Sequence, residues 1–354
     1  MILHKQRRPK MTGNFLKKFS IILVILCVFS PISLFSQVSY YGGKGLMRII
    51  EAESIYPGVL AINPVYGVFA TGNNEDFTED HSLHLGLTLS LSEQFEVFAQ
   101  LTPYQDDQKH TWGPIGDTRL SVKYNIPSGS SLAQFGLVAF TGFPTALNHN
   151  IPFEPYSDDA MSWGMIGLAT FDMKDILKSF PMKISANLGY QDNNWNDAFF
   201  SSEKDQLIGG LGLKFPVRSS LIYSEFTGEI FINNANVTMS QNSLRYTQGF
   251  RFVGPAHLIC DLAADVELGG YKPSASDIAS NHFLKDYADW KILFGVTYRT
   301  SVFKGRTKKE KELDLYKKEE QKELDQIQEK RKKVVKDLEE LRKQLEQEKK
   351  PKTE

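Results

Sequence analysis

The sequence predicts an all-β chain: an antiparallel up-and-down transmembrane β-barrel of twelve strands, followed by a charged C-terminal α-helix. Three observations support this prediction. Segments of about ten residues alternate between apolar and polar side chains, which is the signal of a strand with two different faces. Long and short linkers alternate between these segments. A secretory signal precedes the alternating region, and a highly charged segment follows it.

The chain divides into parts of different charge, although its 354 residues carry a net charge of only −1. Residues 1–36 carry six basic and no acidic residues, and residues 304–354 carry 18 basic and 14 acidic residues. The region between them carries 17 basic and 28 acidic residues, so it is acidic. We predict four segments. They are a signal peptide at 1–36, a periplasmic lead-in at 37–57, the barrel at 58–303 and a charged helical tail at 304–354.

The N-terminal segment has the three parts of a secretory signal peptide. Lys17 and Lys18 precede the apolar run 19–35, and the small residue Ser36 follows it. The alternative is a membrane anchor, but the run has only 17 residues and Pro31 interrupts it. Cleavage is the better interpretation, and it predicts an exported protein.

Alternation with a period of two is clearest in segment 82–91, where five leucines fall on one face. Twelve segments follow this pattern: 58–70, 82–91, 94–104, 117–126, 131–143, 160–171, 182–192, 205–215, 219–232, 241–253, 257–270 and 288–303. Linkers after odd-numbered segments are long and those after even-numbered segments are short, with 172–181 as the exception. In an outer-membrane barrel one end carries tight turns and the other carries longer loops. An even strand number therefore places both chain ends at the tight-turn end.

The composition of the two strand faces favours a membrane barrel over a secreted soluble β-protein. The polar face is rich in Gly, Ser and Thr, as a crowded lumen requires. The strands are also longer than the usual five or six residues of soluble sheets. Aromatic residues stand at strand ends, where an interfacial girdle is expected. They are Phe95, Tyr104, Tyr124, Trp163, Tyr190, Phe215 and Trp290.

Charged residues on the polar face form the candidate functional site. On the last four strands their signs run acidic, basic, acidic and basic, and opposite charges on adjacent strands pair favourably. The predicted lumen charge network consists of Arg119, Lys123, Lys183, Glu225, Glu229, Arg245, Arg251, Asp261, Asp265, Glu267, Lys291 and Arg299. Two interpretations stay open: internal ion pairs that rigidify a narrow barrel, or a charged constriction that selects solutes.

Three other patterns suggest sites, and each has a simpler interpretation. The sequence GGKG at 42–45 lacks the spacing of a nucleotide-binding loop, so we predict a flexible lead-in to the first strand. His81 and His84 lie near acidic residues, as a hydrolase site would require, but polar loops commonly contain such residues. The acidic loop 71–81 lacks the spacing of a calcium loop and is predicted to be solvated. We therefore predict no enzyme, no metal and no cofactor.

The tail over 307–350 contains no Gly or Pro and is rich in Lys, Glu, Leu and Gln. Two heptad positions are partly apolar: Leu324, Leu338 and Leu345 occupy one, and Leu313, Ile327, Val334 and Leu341 occupy the other. This pattern is compatible with a coiled coil, through self-association or with a periplasmic partner protein. A lone solvated helix supported by Glu and Lys pairs is the alternative.

The combination of these features resembles bacterial outer-membrane β-barrel proteins of transporter-like or OmpA-like type. The resemblance covers about residues 42–303, including the strand GDTRLSVKYNIP at 116–127. It implies an outer-membrane location with both termini in the periplasm. It also implies contact with outer-membrane lipid and assembly by the barrel assembly machinery, which recognises an aromatic-rich last strand such as the one that ends at Phe303.

Three functional hypotheses follow from the sequence. The charged inward face and the loop rhythm favour a passive pore or transporter for small solutes. The alternative is a structural anchor whose helical tail binds a periplasmic partner. A more remote alternative is an outer-membrane hydrolase that uses His81 or His84. No pattern indicates a nucleic-acid partner.

Overall fold

The computed structural model describes most of the region that the sequence predicts to form the barrel. The described residues are 38–72, 77–106, 113, 115–128, 132–146, 156, 159–176, 182–217, 220–253, 258–270, 272, 274, 276 and 287–303. The signal peptide predicted at 1–36 and the helix predicted at 304–354 lie outside these residues and stay predictions. Within the described residues, no helix has the length and apolar character needed to cross a membrane.

Twelve strands form within the described residues, as predicted. They are β1 (Val59–Gly72), β2 (Phe77–Ser90), β3 (Phe95–Gln105), β4 (Thr118–Ile126), β5 (Ala133–Phe143), β6 (Ser162–Asp172), β7 (Lys183–Asp192), β8 (Gln206–Val217), β9 (Ser220–Phe231), β10 (Ser243–Val253), β11 (Ile259–Glu267) and β12 (Trp290–Ser301). Two short 3₁₀ turns, Met173–Asp175 and Met239–Gln241, lie between strands. The largest departure is β2, which begins at Phe77 and pairs with β1 as far as Gly72. The prediction of a solvated loop over 71–81 is therefore wrong for its strand residues.

The strands close into one antiparallel ring in which each strand pairs with its neighbours in sequence. The ring is completed by β1 and β12, whose register runs from Val59 opposite Ser301 to Ala70 opposite Trp290. A closed ring leaves no unpaired strand edge, which is the condition for a sheet to cross lipid. Because β1 begins where β12 ends, both chain ends of the barrel lie at the end with the short turns.

The outer face of the ring is apolar and exposed. On β4, for example, Leu120, Val122, Tyr124 and Ile126 are each between 37 and 47% exposed, while Ser121 and Lys123 between them are buried. A soluble monomer rarely exposes such a continuous apolar surface, whereas lipid requires it. The chain therefore has the architecture of an outer-membrane β-barrel.

A glycine stands at the seam where the ring closes. Gly58 precedes β1 and has a φ of 82°, a backbone conformation that side chains other than glycine rarely adopt. Its N–H donates to the carbonyl of Ser90, and its carbonyl accepts from the N–H of Val302 (both 2.8 Å). Gly58 thus fixes the point at which the chain turns into the first strand.

An aromatic cluster extends the apolar face at the long-loop end of β6 and β7. Phe199, in the loop between β7 and β8, stacks on Trp163, and Phe200 stacks on Tyr190. Trp195 lies beside them and is 61% exposed. Phe200 adopts a φ of 60°, a strained conformation for a bulky residue. Since aromatic side chains favour the membrane interface, we expect this loop to reach the lipid surface.

Trp195 provides a measurement of that contact. We expect brominated lipids to quench part of the tryptophan fluorescence of the refolded barrel, and we expect Trp195→Phe to remove that part. The matched control is Trp163→Phe, which removes a tryptophan packed under the same cluster and should leave the quenching due to Trp195 in place. Equal quenching of the wild type and the Trp195→Phe variant would contradict the inferred contact of the loop with lipid.

Candidate functional site

The segment 38–57, which we call the plug, lies inside the barrel. The sequence predicts a periplasmic lead-in here, but Leu46, Glu51 and Ala52 are completely buried, and Ile49 and Ile55 nearly so. Their surroundings are the inward-facing side chains of the strands. The prediction of a lead-in outside the barrel is therefore corrected: these residues fill the lumen.

The plug is an irregular compact turn rather than an extended strand. Two isolated bridges, Val38 with Lys44 and Gly45 with Ile50, fold it back on itself. Gly42 has a φ of 89° and Gly43 one of 75°. A Cβ atom on Gly42 would also lie only 2.8 Å from Phe98 of the wall. The sequence GGKG is therefore a tight turn packed on the lumen wall, and the predicted flexible lead-in is wrong.

Side chains of the wall satisfy the backbone of the plug. Glu225 accepts from the N–H of Ile49 (2.8 Å) and of Arg48 (3.0 Å). Further bonds join Thr88 Oγ1 to the Gly43 N–H (2.9 Å), Thr170 Oγ1 to the Ala52 N–H (3.0 Å), Arg251 to the Gly45 carbonyl (2.9 Å) and Lys123 to the Glu53 carbonyl (2.6 Å). A buried irregular backbone needs such partners. The hydrogen-bonding side chains of the wall are thus placed to hold the backbone of this segment.

Ion pairs join the plug to three strands. Glu51 pairs with Lys214 of β8, and Glu53 pairs with Lys183 of β7 at 2.6 Å. Arg48 pairs with Asp265 of β11, also at 2.6 Å. Glu53 is shared with Lys44 of the plug itself. Both signs of charge in the plug therefore meet a complementary charge on the wall.

Apolar contacts complete the fit on two sides of the plug. One cluster contains Tyr40, Leu46, Met47 and Ile49 of the plug with Val65, Leu221, Tyr223, Ala263 and Leu293 of the wall. The other contains Ile50 and Ala52 with Phe98, Val138, Phe140, Ile166, Leu168 and Ile208. Each large aliphatic side chain buried in this way contributes about 1.5–3 kcal/mol. The plug is therefore held in the lumen by apolar burial as well as by polar bonds.

The predicted lumen charge network occupies inward positions of the strand alternation at all twelve residues. Some members pair within the wall, Arg245 with Asp265 (3.0 Å) and Arg251 with Asp261, and Glu267 pairs with Lys272 of the connection between β11 and β12 (3.6 Å). Glu229 accepts from the Tyr156 N–H (3.2 Å), Arg119 lies 3.4 Å from the centre of the Phe140 ring, and Lys291 lies 5.7 Å from that of Phe69. Members of the network that contact the plug include Lys123, Lys183, Glu225, Arg251 and Asp265. Arg299 is partly buried near the short-turn end.

Sequence reasoning missed several charged members of the site. Glu96, which pairs with Lys123, and Lys214 both stand at inward positions of predicted strands, so the alternation alone could have identified them. Arg48, Glu51 and Glu53 lie in the plug, where no alternation occurs. The available signal was the apolar content of residues 46–55, which is high for a solvated linker.

The two histidines considered as a hydrolase site lie on opposite faces of β2. His84 is buried in the lumen, where its Nε2 lies 2.5 Å from Tyr40 Oη and its Nδ1 lies 3.1 Å from Thr102 Oγ1. His81 faces outward, and its Nδ1 lies 2.8 Å from Tyr66 Oη. The structure does not bring them together. Within the described residues, no group of three or more potential ligands from His, Cys, Asp and Glu is placed to hold a metal ion.

A cavity of about 60 Å³ lies between the plug and the wall toward the long-loop end. Its plug side is formed by Tyr41, Arg48, Ile49 and Ile50. The wall side includes Phe98, Arg119, Val138, Phe140, Ile166, Asn187, Gln191, Ile208, Glu229 and Ser243. Arg119 donates a hydrogen bond to Gln191 (3.1 Å) at this level. The space left between the plug and the wall is thus a small pocket.

Acidification is expected to loosen the plug. Burial alone would raise the pKa of Glu53, but Lys44 and Lys183 outweigh it and hold the pKa below its ordinary value of 4.5. A carboxylate with a lowered pKa stabilises the plug in its buried position fully above about pH 4.5. That stabilisation is lost as the pH falls further, by about 1.4 kcal/mol per pH unit. The pKa of Glu51 is also lowered, because Lys214, Lys44 and Lys183 outweigh the effect of its burial.

The measurement is the ion conductance of the refolded barrel between about pH 7 and pH 3. We expect it to rise on the acid side, and we expect Glu53→Gln to weaken that dependence to the part due to Glu51. Glu203→Gln, the same change in an exposed loop, is the control. A pH dependence that is identical in the wild type and in Glu53→Gln would contradict the role of this carboxylate.

Comparison with known proteins finds distant likenesses of fold. No protein-family model matches the chain, and no curated protein matches it. The KdgM porin is similar with a TM-score of 0.43 and 5% identity over 67% of this chain and 98% of that chain. The NanC porin gives 0.44 and 9% over 67% and 98%. The COG4313 outer membrane channel from Pseudomonas putida F1 gives 0.45 and 11% over 70% and 98%. The barrel architecture rests on the strand pairing itself.

Proposed function

We propose that the protein is an outer-membrane pore for small solutes, closed in this structure by its own N-terminal plug. The observation that carries the proposal is the wall of the lumen. Its charged and hydroxyl side chains hold the backbone and the carboxylates of a separate segment, rather than filling the barrel themselves. In this proposal the short-turn end, where β1 begins and β12 ends, faces the periplasm.

The size of the ring supports a pore. A barrel of eight strands is filled by its own side chains, whereas barrels of 16 to 18 strands leave an aqueous channel. Twelve strands lie between these limits, and here the interior has room for the plug. Displacement of the plug therefore leaves a narrow channel whose wall carries charged and hydroxyl side chains beside apolar ones. A barrel that served only as an anchor would not need so many buried charges, which are costly to desolvate.

Planar bilayer recordings test the proposal. We expect the refolded chain to show a low conductance with brief openings, and a variant that lacks residues 38–55 to show a large and steady conductance. Glu51→Gln combined with Glu53→Gln is a milder opening variant for the case in which the deletion does not fold. Heat-modifiable migration on gels verifies that each barrel is folded. Folded opening variants that conduct no ions would refute a pore.

A scaffolding role with the tail as its working part stays a prediction from the sequence. It is distinguished from the pore by deleting residues 304–354. Loss of periplasmic partners with unchanged conductance would support the scaffold as a second role.

A further inference from the structure

We infer that Lys183 and Lys214 form a binding site for solutes that carry two carboxylate groups, and that Glu51 and Glu53 of the plug occupy this site in the closed state. A dicarboxylate that takes the two lysines competes with the plug and favours the open state. The inference deepens the proposed function and rests on it for the link between plug release and transport.

The register of the wall provides the first argument. Four inward charge pairs that stand directly opposite each other are of opposite sign: Glu96 with Lys123, Arg245 with Glu267, Arg251 with Asp261, and Asp265 with Lys291. On β6 and β7, Asp172 likewise stands opposite Lys183. Lys183 also stands directly opposite Lys214 of β8. Within the described strands, this is the one directly opposed pair of charges of the same sign.

Two like charges at the same register destabilise a sheet. Here the repulsion is relieved by the plug, because Glu51 pairs with Lys214 and Glu53 pairs with Lys183. Asp172 contributes a longer contact to Lys183 of 3.4 Å. When the plug leaves, the two lysines lose two carboxylates at once. The open wall therefore presents two ammonium groups side by side, which favours a doubly charged anion.

The fit of the plug in this site is incomplete. Glu51 Oε2 is buried and has no hydrogen-bond partner among the described residues. Such an unsatisfied buried oxygen costs about 1–3 kcal/mol. Glu53 divides its carboxylate between Lys183 and Lys44 of its own segment. A free solute is not bound by these constraints, so it can replace the plug carboxylates without losing affinity for the lysines.

The site is accessible from the short-turn end. Lys183 is the first residue of β7, and Lys214 lies near the end of β8. The side chain of Lys183 is 21% exposed and that of Glu53 is 18% exposed. A small solute on this side therefore reaches Lys183 first, and it reaches Lys214, whose side chain is 10% exposed, once the buried Glu51 moves.

Thiol labelling of the plug tests the inference without relying on conductance. Ser54→Cys in a Cys260→Ala background places a thiol at a side chain whose hydroxyl is buried and has no hydrogen-bond partner among the described residues. We expect succinate to raise the labelling rate of the refolded barrel several-fold, whereas succinamide, its neutral analogue, has no effect. Lys183→Gln combined with Lys214→Gln should label rapidly without succinate and should not respond to it. Lys174→Gln, at an exposed lysine of the same end, should behave like the parent.

Other outcomes overturn the inference. An equal response to sodium chloride at the same ionic strength, or to inorganic phosphate, would show that carboxylates are not recognised. A full succinate response in the double lysine variant would place the effect elsewhere. Labelling that responds to succinate in a barrel that never conducts would refute the pore but keep the site. Conductance with no response of labelling to succinate would keep the pore and refute the site.

Discussion

Replacing Glu53 by lysine is expected to release the plug, and a second substitution is expected to restore closure. Glu53→Lys removes the carboxylate that pairs with Lys183 and Lys44 and places a third ammonium group beside them. Breaking a largely buried ion pair by removing one partner costs about 3 kcal/mol or more. This corresponds to about a hundredfold change in the ratio of closed to open states. Labelling of Ser54→Cys and ion conductance should both rise.

The reciprocal change provides the control. Lys183→Glu alone should also open the barrel, because it places a second carboxylate beside that of Glu53. Combined with Glu53→Lys, it exchanges the two charges and should restore a large part of the closed state. If the double variant is as open as either single variant, the contact between these two residues does not hold the plug.

Replacing Glu225 by leucine should release the plug by a different route. Glu225 is completely buried, and its carboxylate accepts from the N–H groups of Arg48 and Ile49. A buried N–H group left without an acceptor costs about 1–3 kcal/mol. Glu225→Leu leaves both N–H groups without this acceptor inside the barrel. We expect an increase in Ser54→Cys labelling of about a hundredfold or more.

A graded series identifies the cause. Glu225→Gln keeps one carbonyl oxygen and should give an intermediate rate, whereas Glu229→Gln, nearer the long-loop end of the same strand, should change the rate little. Heat-modifiable migration verifies that the barrels are closed. An unchanged rate in a folded Glu225→Leu barrel would contradict the role of these hydrogen bonds.

The strands could be predicted because their signal is local. Because every second side chain faces lipid, β4 and β12 show the same alternation of apolar and polar residues. The linker lengths then indicate the order of the strands in the ring. The start of β2 was missed because the acidic residues near it suggested a solvated loop. The separation of His81 from His84 follows from the same rule, since residues three apart in a strand point to opposite faces.

The plug could not be predicted because its signal is not local. Leu46, Met47 and Ile49 have no strand period, and their partners include Leu221, Ala263 and Leu293, more than 170 residues away in the chain. Likewise, a lysine at an inward position predicts a charge in the lumen but not its partner. Only the register of β7 and β8 reveals that Lys183 and Lys214 stand opposite each other.

Gly58, at the seam of the ring, affects how the plug returns to the lumen. Gly58 directly follows the plug and is hydrogen-bonded to both Ser90 and Val302, so a plug that leaves the lumen stays attached to the rim at this residue. Rebinding is then intramolecular, and a short tether gives an effective concentration in the millimolar range. The opening is self-resetting, and a soluble competitor has to reach a comparable concentration before the barrel stays open.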